Sequence, residues 1–242
     1  MKQTNQHGNA VFMILIAVAL FAALGFVFSQ SSRTSTSFLT DEEANAYASQ
    51  IIAYGNEVRQ AVKRLTLRGC SDTEISFENS VVAGYENPNA PSDKSCHVFD
   101  VSGGGLQVQT PSTSMLDTSH SAYSGYEQYW YGNIVSVEGL ASDCTTTECT
   151  ELMLHLPHIK QEICDRINEL SNIDTVDEVI TNFSYAAAHK FVGTYFVHPA
   201  AVIGDETGVN ALPSGLKKGC VHRSGWAAGG SPYSYFQVLI AR

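Results

Sequence analysis

The sequence has few charged side chains, and the positively charged ones are the scarcest. Only 14 lysines and arginines stand against 24 aspartates and glutamates, and charged residues make up 16% of the 242-residue chain. The formal net charge is −10 at pH 7. The chain has no basic patch interleaved with aromatic side chains, which is the pattern of nucleic-acid-binding surfaces. The composition therefore argues against nucleic acid as a partner.

The sequence also lacks the motifs of familiar enzymes. It contains no G-x-S-x-G, no H-E-x-x-H, no Walker loop and no dinucleotide-binding fingerprint. The glycines Gly103–Gly105 have no strand–loop–helix context for phosphate and indicate a turn instead. His155 and His158 could share a metal at their i, i+3 spacing, but surface or core histidines are the favoured reading. We predict no catalytic residue, cofactor or metal site, and hence no enzyme.

The chain does contain six cysteines, and all of them follow an N-terminal apolar segment. Cysteines in that position, with little charge around them, indicate an oxidising compartment. Six cysteines allow fifteen pairings. Zinc binding is an alternative, but zinc sites usually have two matched close pairs, and Cys144 and Cys149, with four residues between them, have no second matching pair. We expect sequential pairing, because it closes the shortest loops: Cys70–Cys96, Cys144–Cys149 and Cys164–Cys220.

One long uncharged run follows a short polar leader. As a helix the run would span roughly 28 Å, close to the hydrocarbon thickness of a bilayer, and it is longer than the core of a cleavable secretory signal. We therefore predict a retained membrane helix with the following domain outside the cytoplasm. Its residues are Ala10, Val11, Phe12, Met13, Ile14, Leu15, Ile16, Ala17, Val18, Ala19, Leu20, Phe21, Ala22, Ala23, Leu24, Gly25, Phe26, Val27 and Phe28.

A second helix is predicted beyond a Ser/Thr-rich linker at 29–39, which should weaken or bend the helix. Thr40 and Glu43 have the spacing of a capping box, and Gly69 is a natural C-terminal stop. Between them an apolar stripe recurs at i, i+3, i+4 and i+7. The pattern predicts an amphipathic helix over about 41–68 that continues the membrane helix and lies across a sheet.

The remaining residues favour an α+β domain. Short strands are predicted at 74–77, 81–85, 97–101, 106–110 and 191–198, a hairpin over 126–137 turning at Gly132-Asn133, and a final strand over 233–242. The apolar spacing favours helices around 150–171 and 176–189. The expected fold is a long N-terminal helix, membrane segment plus amphipathic half, packed on a mainly antiparallel sheet. Its parts are a leader (1–8), an assembly helix with linker (9–39) and a disulfide-bonded domain (40–242).

Aromatic side chains cluster in the predicted hairpin. Amphipathic rings of this kind can bind sugars or partner proteins, but they more often pack across strands. Packing is the favoured interpretation, and a binding surface is the alternative. The residues concerned are Tyr126, Tyr129, Trp130 and Tyr131.

The leader ending in Gly8, the apolar helix and its amphipathic continuation resemble the type IV pilin and pseudopilin family. The stretches CSDTEISFEN and YENPNAPSDKSCHVFD resemble uncharacterised pilin-like proteins of proteobacteria. The family resemblance implies cleavage by a prepilin peptidase after Gly8, so that Asn9 becomes the first residue. It also implies residence in the bacterial inner membrane before assembly, a periplasmic or extracellular domain, and other pilin or pseudopilin subunits as partners.

Two positions depart from the usual family pattern. Asn9 stands where Phe or Met is common, and Met13 stands where most members have a glutamate. A buried carboxylate is costly unless it is paired, and in pilins it is thought to pair with a neighbouring subunit's N-terminal amine. A subunit without it needs no such partner, which suits a filament tip.

The resemblance leads to one functional hypothesis and the cysteine and tyrosine content to another. The first is a minor pilin or pseudopilin that initiates or caps a type IV pilus-like or type II secretion filament. The alternative is a membrane-anchored or secreted, disulfide-bonded binding or adhesion domain.

Overall fold

A computed structural model describes residues 14–18, 39–140, 150–173, 179–180, 185–195, 201–204, 213–223 and 233–242. The chain divides into two compact units, residues 1–39 and residues 40–242. The secondary structure reported below belongs to the larger unit, apart from a short helical stretch at residues 14–18.

The predicted long N-terminal helix is wrong for the described chain. Thr40 has extended backbone (φ −67°, ψ 155°), and a separate helix begins at the next residue. In the described ranges, no helix is both long and apolar enough to cross a membrane, which overturns the single-pass inner-membrane prediction. The rest of the predicted span, at 10–13 and 19–28, and the processing residues Gly8 and Asn9 lie outside the described residues.

Helix α1 (Asp41–Leu67) has the predicted start, stripe and stop. The Thr40 hydroxyl accepts the Glu43 N–H at 3.2 Å, and the Glu43 carboxylate accepts the Thr40 N–H at 3.0 Å. This capping box satisfies amide groups that lack an intrahelical partner. Of the predicted stripe, Tyr47 is only half-buried. Tyr54 and Ala61 are buried together with the other predicted members, which are Ala44, Ala48, Ile51, Gly55, Val58, Val62 and Leu65.

The C-terminal end of α1 leads directly into a disulfide. Gly69 adopts φ +103°, and the Gly69 and Cys70 amides donate to the carbonyls of Thr66 and Leu65. These two bonds form a Schellman motif, which needs a residue without Cβ strain at the left-handed position. The motif turns the chain so that Cys70 meets Cys96.

A five-stranded sheet lies against α1. Its order is β1-β3-β7-β6-β4, with β4 parallel to β6 and the other pairs antiparallel. A separate parallel pair joins β2 and β5. The elements are β1 (Trp130–Gly132), β2 (Val135–Val137), β3 (Leu152–Ile159), α2 (Gln161–Leu170), β4 (Val179–Ile180), β5 (Ala201–Ile203), β6 (Lys218–Arg223) and β7 (Tyr233–Ile240), with 3₁₀ turns at Asp72–Glu74, Thr113–Met115, Thr118–His120 and Ala187–His189.

Both faces of the central strands are covered. Helix α1 packs on β7, and α2 packs on β6 and β7. An apolar cluster that includes Trp130, Met153, Tyr185, Phe236 and Val238 is also buried. Strand β3 is therefore buried along its whole length, as expected for a strand covered on both sides.

The helix predicted around 150–171 is wrong in its first half. Residues 152–159 form strand β3, and only Gln161–Leu170 are helical. Leucines spaced four apart fit a helix, but the segment is apolar at nearly every position. A continuous apolar run of this length also fits a strand buried on both faces, and the period alone cannot separate the two.

The predicted hairpin at 126–137 is also wrong. Strand β1 pairs with β3, whereas β2 pairs with β5 in the other sheet. Gly132 packs against the Trp130 ring, and the Asn133 side-chain amide donates to the Thr194 carbonyl at 2.9 Å. Gly132 also pairs with Met153 and forms a bridge to Lys190. Both predicted turn residues therefore contact distant segments, and the chain passes from one sheet to the other instead of folding back.

Other predicted elements differ from the structure as well. The segments 74–77, 81–85, 97–101 and 106–110 form no regular strand, and 97 contributes only an isolated bridge to 76. Within 176–189 the described residues form strand β4 and a 3₁₀ turn, and the described part of 191–198 is not a strand. The final strand is confirmed as β7, and its place between β3 and β6 ties the C-terminal segment into the sheet.

Two of the expected disulfides are present. Cys70 bonds to Cys96, and Cys164 on α2 bonds to Cys220 on β6. Cys144 and Cys149 lie outside the described residues.

The close approach of α1 to β7 generates a prediction at Gly55. A Cβ at this position would collide with the Tyr235 hydroxyl. We expect Gly55→Ala to lower the free energy of unfolding by roughly 1–3 kcal/mol through overpacking, although alanine is the better helix former by about 1 kcal/mol. Urea unfolding measures the change, with Gln50→Ala on the exposed face of α1 as control.

Tyr235→Phe in the Gly55→Ala background should recover part of the loss, because it removes the colliding oxygen. A Gly55→Ala variant as stable as the parent would show that the helix can move away from the sheet without cost.

The disulfides generate a second prediction. Cys164–Cys220 closes 56 residues and Cys70–Cys96 closes 26. From the loop entropy, replacing Cys164 and Cys220 by serine should lower the free energy of unfolding by about 4 kcal/mol, and replacing Cys70 and Cys96 should lower it by about 3.5 kcal/mol. Guanidinium unfolding without reductant compares the two double variants. A larger loss for the Cys70/Cys96 pair would contradict the loop-length ordering.

Candidate functional site

The tyrosine-rich segment proposed as a binding surface is part of the core. Tyr129, Trp130 and Tyr131 are 4%, 0% and 2% exposed, and Tyr126 is half-buried. The Tyr131 ring stacks on Phe77 with centroids 4.4 Å apart. The favoured packing interpretation is therefore the observed one, and these rings offer no large exposed surface to a ligand.

Hydrogen bonds between tyrosines stabilise this aromatic core. The Tyr54 and Tyr131 hydroxyls lie 3.0 Å apart, and the Tyr131 N–H donates to the Tyr85 hydroxyl at 3.1 Å. Burial raises the pKa of Tyr85, Tyr129 and Tyr131 far above the ordinary tyrosine value. The hydroxyls therefore stay neutral at physiological pH, and those of Tyr54, Tyr85 and Tyr131 link helix, loop and strand.

The two histidines considered as a metal pair lie on β3, not on a helix. Both are buried, and His158 has φ +62° at a register shift of β3 against β7. One His158 ring nitrogen lies 3.1 Å from the Ser124 carbonyl. Across the described ranges, no three His, Cys, Asp or Glu side chains are grouped to hold a metal ion.

The triple glycine forms a tight turn, as predicted. The Gly103 and Gly105 amides donate to Asp100, and the Gly104 amide donates to His97. These amides are thus engaged within the chain. The Gly104 carbonyl accepts a hydrogen bond from the Arg64 guanidinium of α1 at 3.2 Å, and the Gly103 carbonyl accepts one from Arg68, just after α1, at 2.8 Å. The turn therefore anchors the end of the helix.

An open groove lies between α1 and the end of β7. Its floor is apolar and includes Val62, Val238 and Leu239, and its volume is about 380 Å³. Three cations line it: Arg59 and Lys63 one turn apart on α1, and Lys217 on the opposite side. We call this feature the cationic groove.

The three cations of this groove are exposed and form no ion pair with any acidic side chain of the described chain. The Lys217 carbonyl accepts the Val238 N–H at 2.8 Å and the Gln237 side-chain amide at 3.0 Å. These bonds fix the Lys217 backbone beside β7. The arrangement is suited to bind carboxylate or another anion next to an apolar surface.

The cationic groove was missed in the sequence, although part of its signal is visible there. Arg59 and Lys63 are spaced i, i+4 on a predicted helix face. Lys217 is 154 positions after Lys63, and nothing local shows that the sheet brings the two together.

A second unforeseen group is the buried carboxyl of Glu151, just before β3. One oxygen accepts the Val137 N–H at 3.0 Å, and the other has no hydrogen-bond partner in the described chain. Burial raises the pKa of Glu151 to about 7. The carboxyl is therefore neutral in mildly acidic solution and ionises near neutral pH at a cost to stability.

In comparisons with known proteins, no family model, no curated protein and no solved structure matches this chain. The fold and site define a disulfide-bonded α+β domain with a cationic groove beside its long helix.

Glu151 predicts a specific pH dependence of stability. Its pKa is raised in the folded state, so the folded protein binds more protons than the unfolded chain between about pH 4.5 and 7. Stability should therefore fall as the pH rises through this window. The free energy of unfolding of Glu151→Gln should exceed that of the parent by roughly 1–3 kcal/mol at pH 8 and should differ little from it at pH 4.

Urea unfolding across pH 4–8 tests this pH dependence. The control is Glu138→Gln, at an exposed glutamate next to Val137 in the sequence. A Glu151→Gln difference that stays constant with pH would contradict the assignment.

Proposed function

We propose that this chain is a structural subunit of a pilin-like filament, at an initiating or capping position in a type IV pilus-like or type II secretion assembly. The observation that carries the proposal is the 27-residue helix α1 laid across β7 of a mainly antiparallel sheet. One face of this helix is buried, and much of the rest of it is exposed for contacts along an assembly.

Rigidity of the domain supports a structural role. Helix α1 measures about 40 Å along its axis at 1.5 Å per residue, and a Schellman motif and the Cys70–Cys96 bridge fix its far end. The Cys164–Cys220 bridge ties α2 to the sheet. Disulfides of this kind persist outside the reducing cytoplasm, where a filament would operate.

The N-terminal pattern supports the position in the filament. Processing by a prepilin peptidase after Gly8 would leave Asn9 first and Met13 fifth. Methionine at that position needs no amine from a neighbouring subunit, unlike a buried glutamate. Other pilin or pseudopilin subunits are the proposed partners.

The alternative of an adhesion domain has less support. Its candidate residues Tyr129, Trp130 and Tyr131 are buried and hold the core together.

Sequencing of the mature N-terminus in the native host tests the proposal, together with mass spectrometry of sheared filaments. We expect a start at Asn9 and a substoichiometric amount of the chain in the filament fraction. The control is a host strain without prepilin peptidase, in which the first residue should precede Gly8. A start near Phe26, or absence from filaments that are otherwise normal, would refute the proposal.

A further inference from the structure

Helix α1 carries opposite charges at its two ends. Its first turn consists of Asp41, Glu42 and Glu43, whereas Arg59, Lys63 and Arg64 lie in its last third. The chain as a whole is acidic, with a net charge of −10. Concentration of basic side chains at one end of one helix is therefore a local feature that the overall composition does not account for.

Some of these charges are already engaged within the subunit. Glu43 closes the capping box with Thr40. Arg64 donates to a carbonyl of the glycine turn. Asp41 and Glu42 remain at the acidic end, exposed and without an ion pair in the described chain.

The opposite end offers a site of matching chemistry. Arg59, Lys63 and Lys217 are also exposed, form no ion pair within the described residues, and line the cationic groove beside its apolar floor. Its volume of about 380 Å³ is within the range of clefts and cavities that bind ligands. An apolar floor also excludes part of the solvent, so that an ion pair formed there is worth more than one on an open surface.

The acidic turn cannot reach the groove of its own subunit. Glu42 and Val62 are 20 residues apart on one helix, which corresponds to about 30 Å along its axis. Any contact between the two ends therefore requires two molecules.

We propose that the cationic groove of one copy binds the acidic first turn of α1, at Asp41 and Glu42, of a second copy. The inference rests on the proposed filament function and names the contact through which copies first meet. The contact is head-to-tail, so each pair retains one open groove and one free acidic turn. Such a pair would provide a nucleus to which further subunits can add.

Charge reversal in the full-length, disulfide-bonded chain tests the contact by sedimentation velocity at low ionic strength. We expect Asp41→Lys/Glu42→Lys and Arg59→Glu/Lys63→Glu each to weaken self-association at least about tenfold. An equimolar mixture of the two variants should recover pairing, because each supplies the native half that the other lacks. Added salt should weaken pairing of the parent chain.

Two matched controls change charge outside the contact. Glu57→Lys lies on the exposed part of α1, and Lys218→Glu is next to Lys217 but outside the groove lining. Both should change association much less than the reversals within the contact do. Circular dichroism of every variant establishes that the helix is retained.

Zero-length carbodiimide cross-linking of mixed ¹⁴N and ¹⁵N copies gives an independent readout. The expected product joins Lys63 or Lys217 of one isotope to Asp41 or Glu42 of the other. A parent chain that is monomeric at 100 µM, or association that survives both reversals, would overturn the proposal.

The outcome separates this inference from the proposed function. A chain that is found in filaments with Asn9 first, but whose copies do not pair through the groove, refutes the self-contact alone. A chain that pairs through the groove but is absent from filaments refutes the filament function.

Discussion

The fold depends on the contact of helix α1 with strand β7 at Gly55. Because Gly55 has no side chain, the Tyr235 ring lies directly beneath the helix backbone. The Tyr235 hydroxyl donates a hydrogen bond to the Gln237 side-chain oxygen at 3.2 Å. Strand β7 in turn pairs with both β3 and β6. A helix held further away would leave β7 uncovered on that face and would separate the apolar stripe of α1 from the sheet.

The residues between α1 and β1 are organised differently. There, side chains form hydrogen bonds with backbone groups that strand pairing would satisfy in a sheet. The Asn87 amide donates to the carbonyls of Thr73 and Ile75 at 2.9 and 2.8 Å, and the Asn89 amide donates to Gly193 at 3.0 Å. Buried backbone groups need partners of some kind. Here asparagines and the Cys70–Cys96 bridge supply the order that regular strands supply elsewhere.

This difference explains which features could be predicted from sequence. The capping box at Thr40, the stop at Gly69 and the last strand depend on local chemistry and were recognisable. Strand β3 was not, because burial of both its faces removes the alternation that distinguishes a strand. The crossing between β1 and β2 depends on the bond from Asn133 to Thr194, which no local pattern shows.

The third cation of the cationic groove was invisible in the sequence because strand pairing, not local spacing, brings it to the groove. Strand β6 pairs with β7 only as far as Gln237, through Lys218, whereas β7 continues to Ile240 beside β3. The Lys217 carbonyl then accepts the Val238 N–H at 2.8 Å. Lys217, the end of β7 and α1 line the groove together. The pairing of β6 with β7 thus brings Lys217 to the same groove as Lys63, although the two residues are far apart in the sequence.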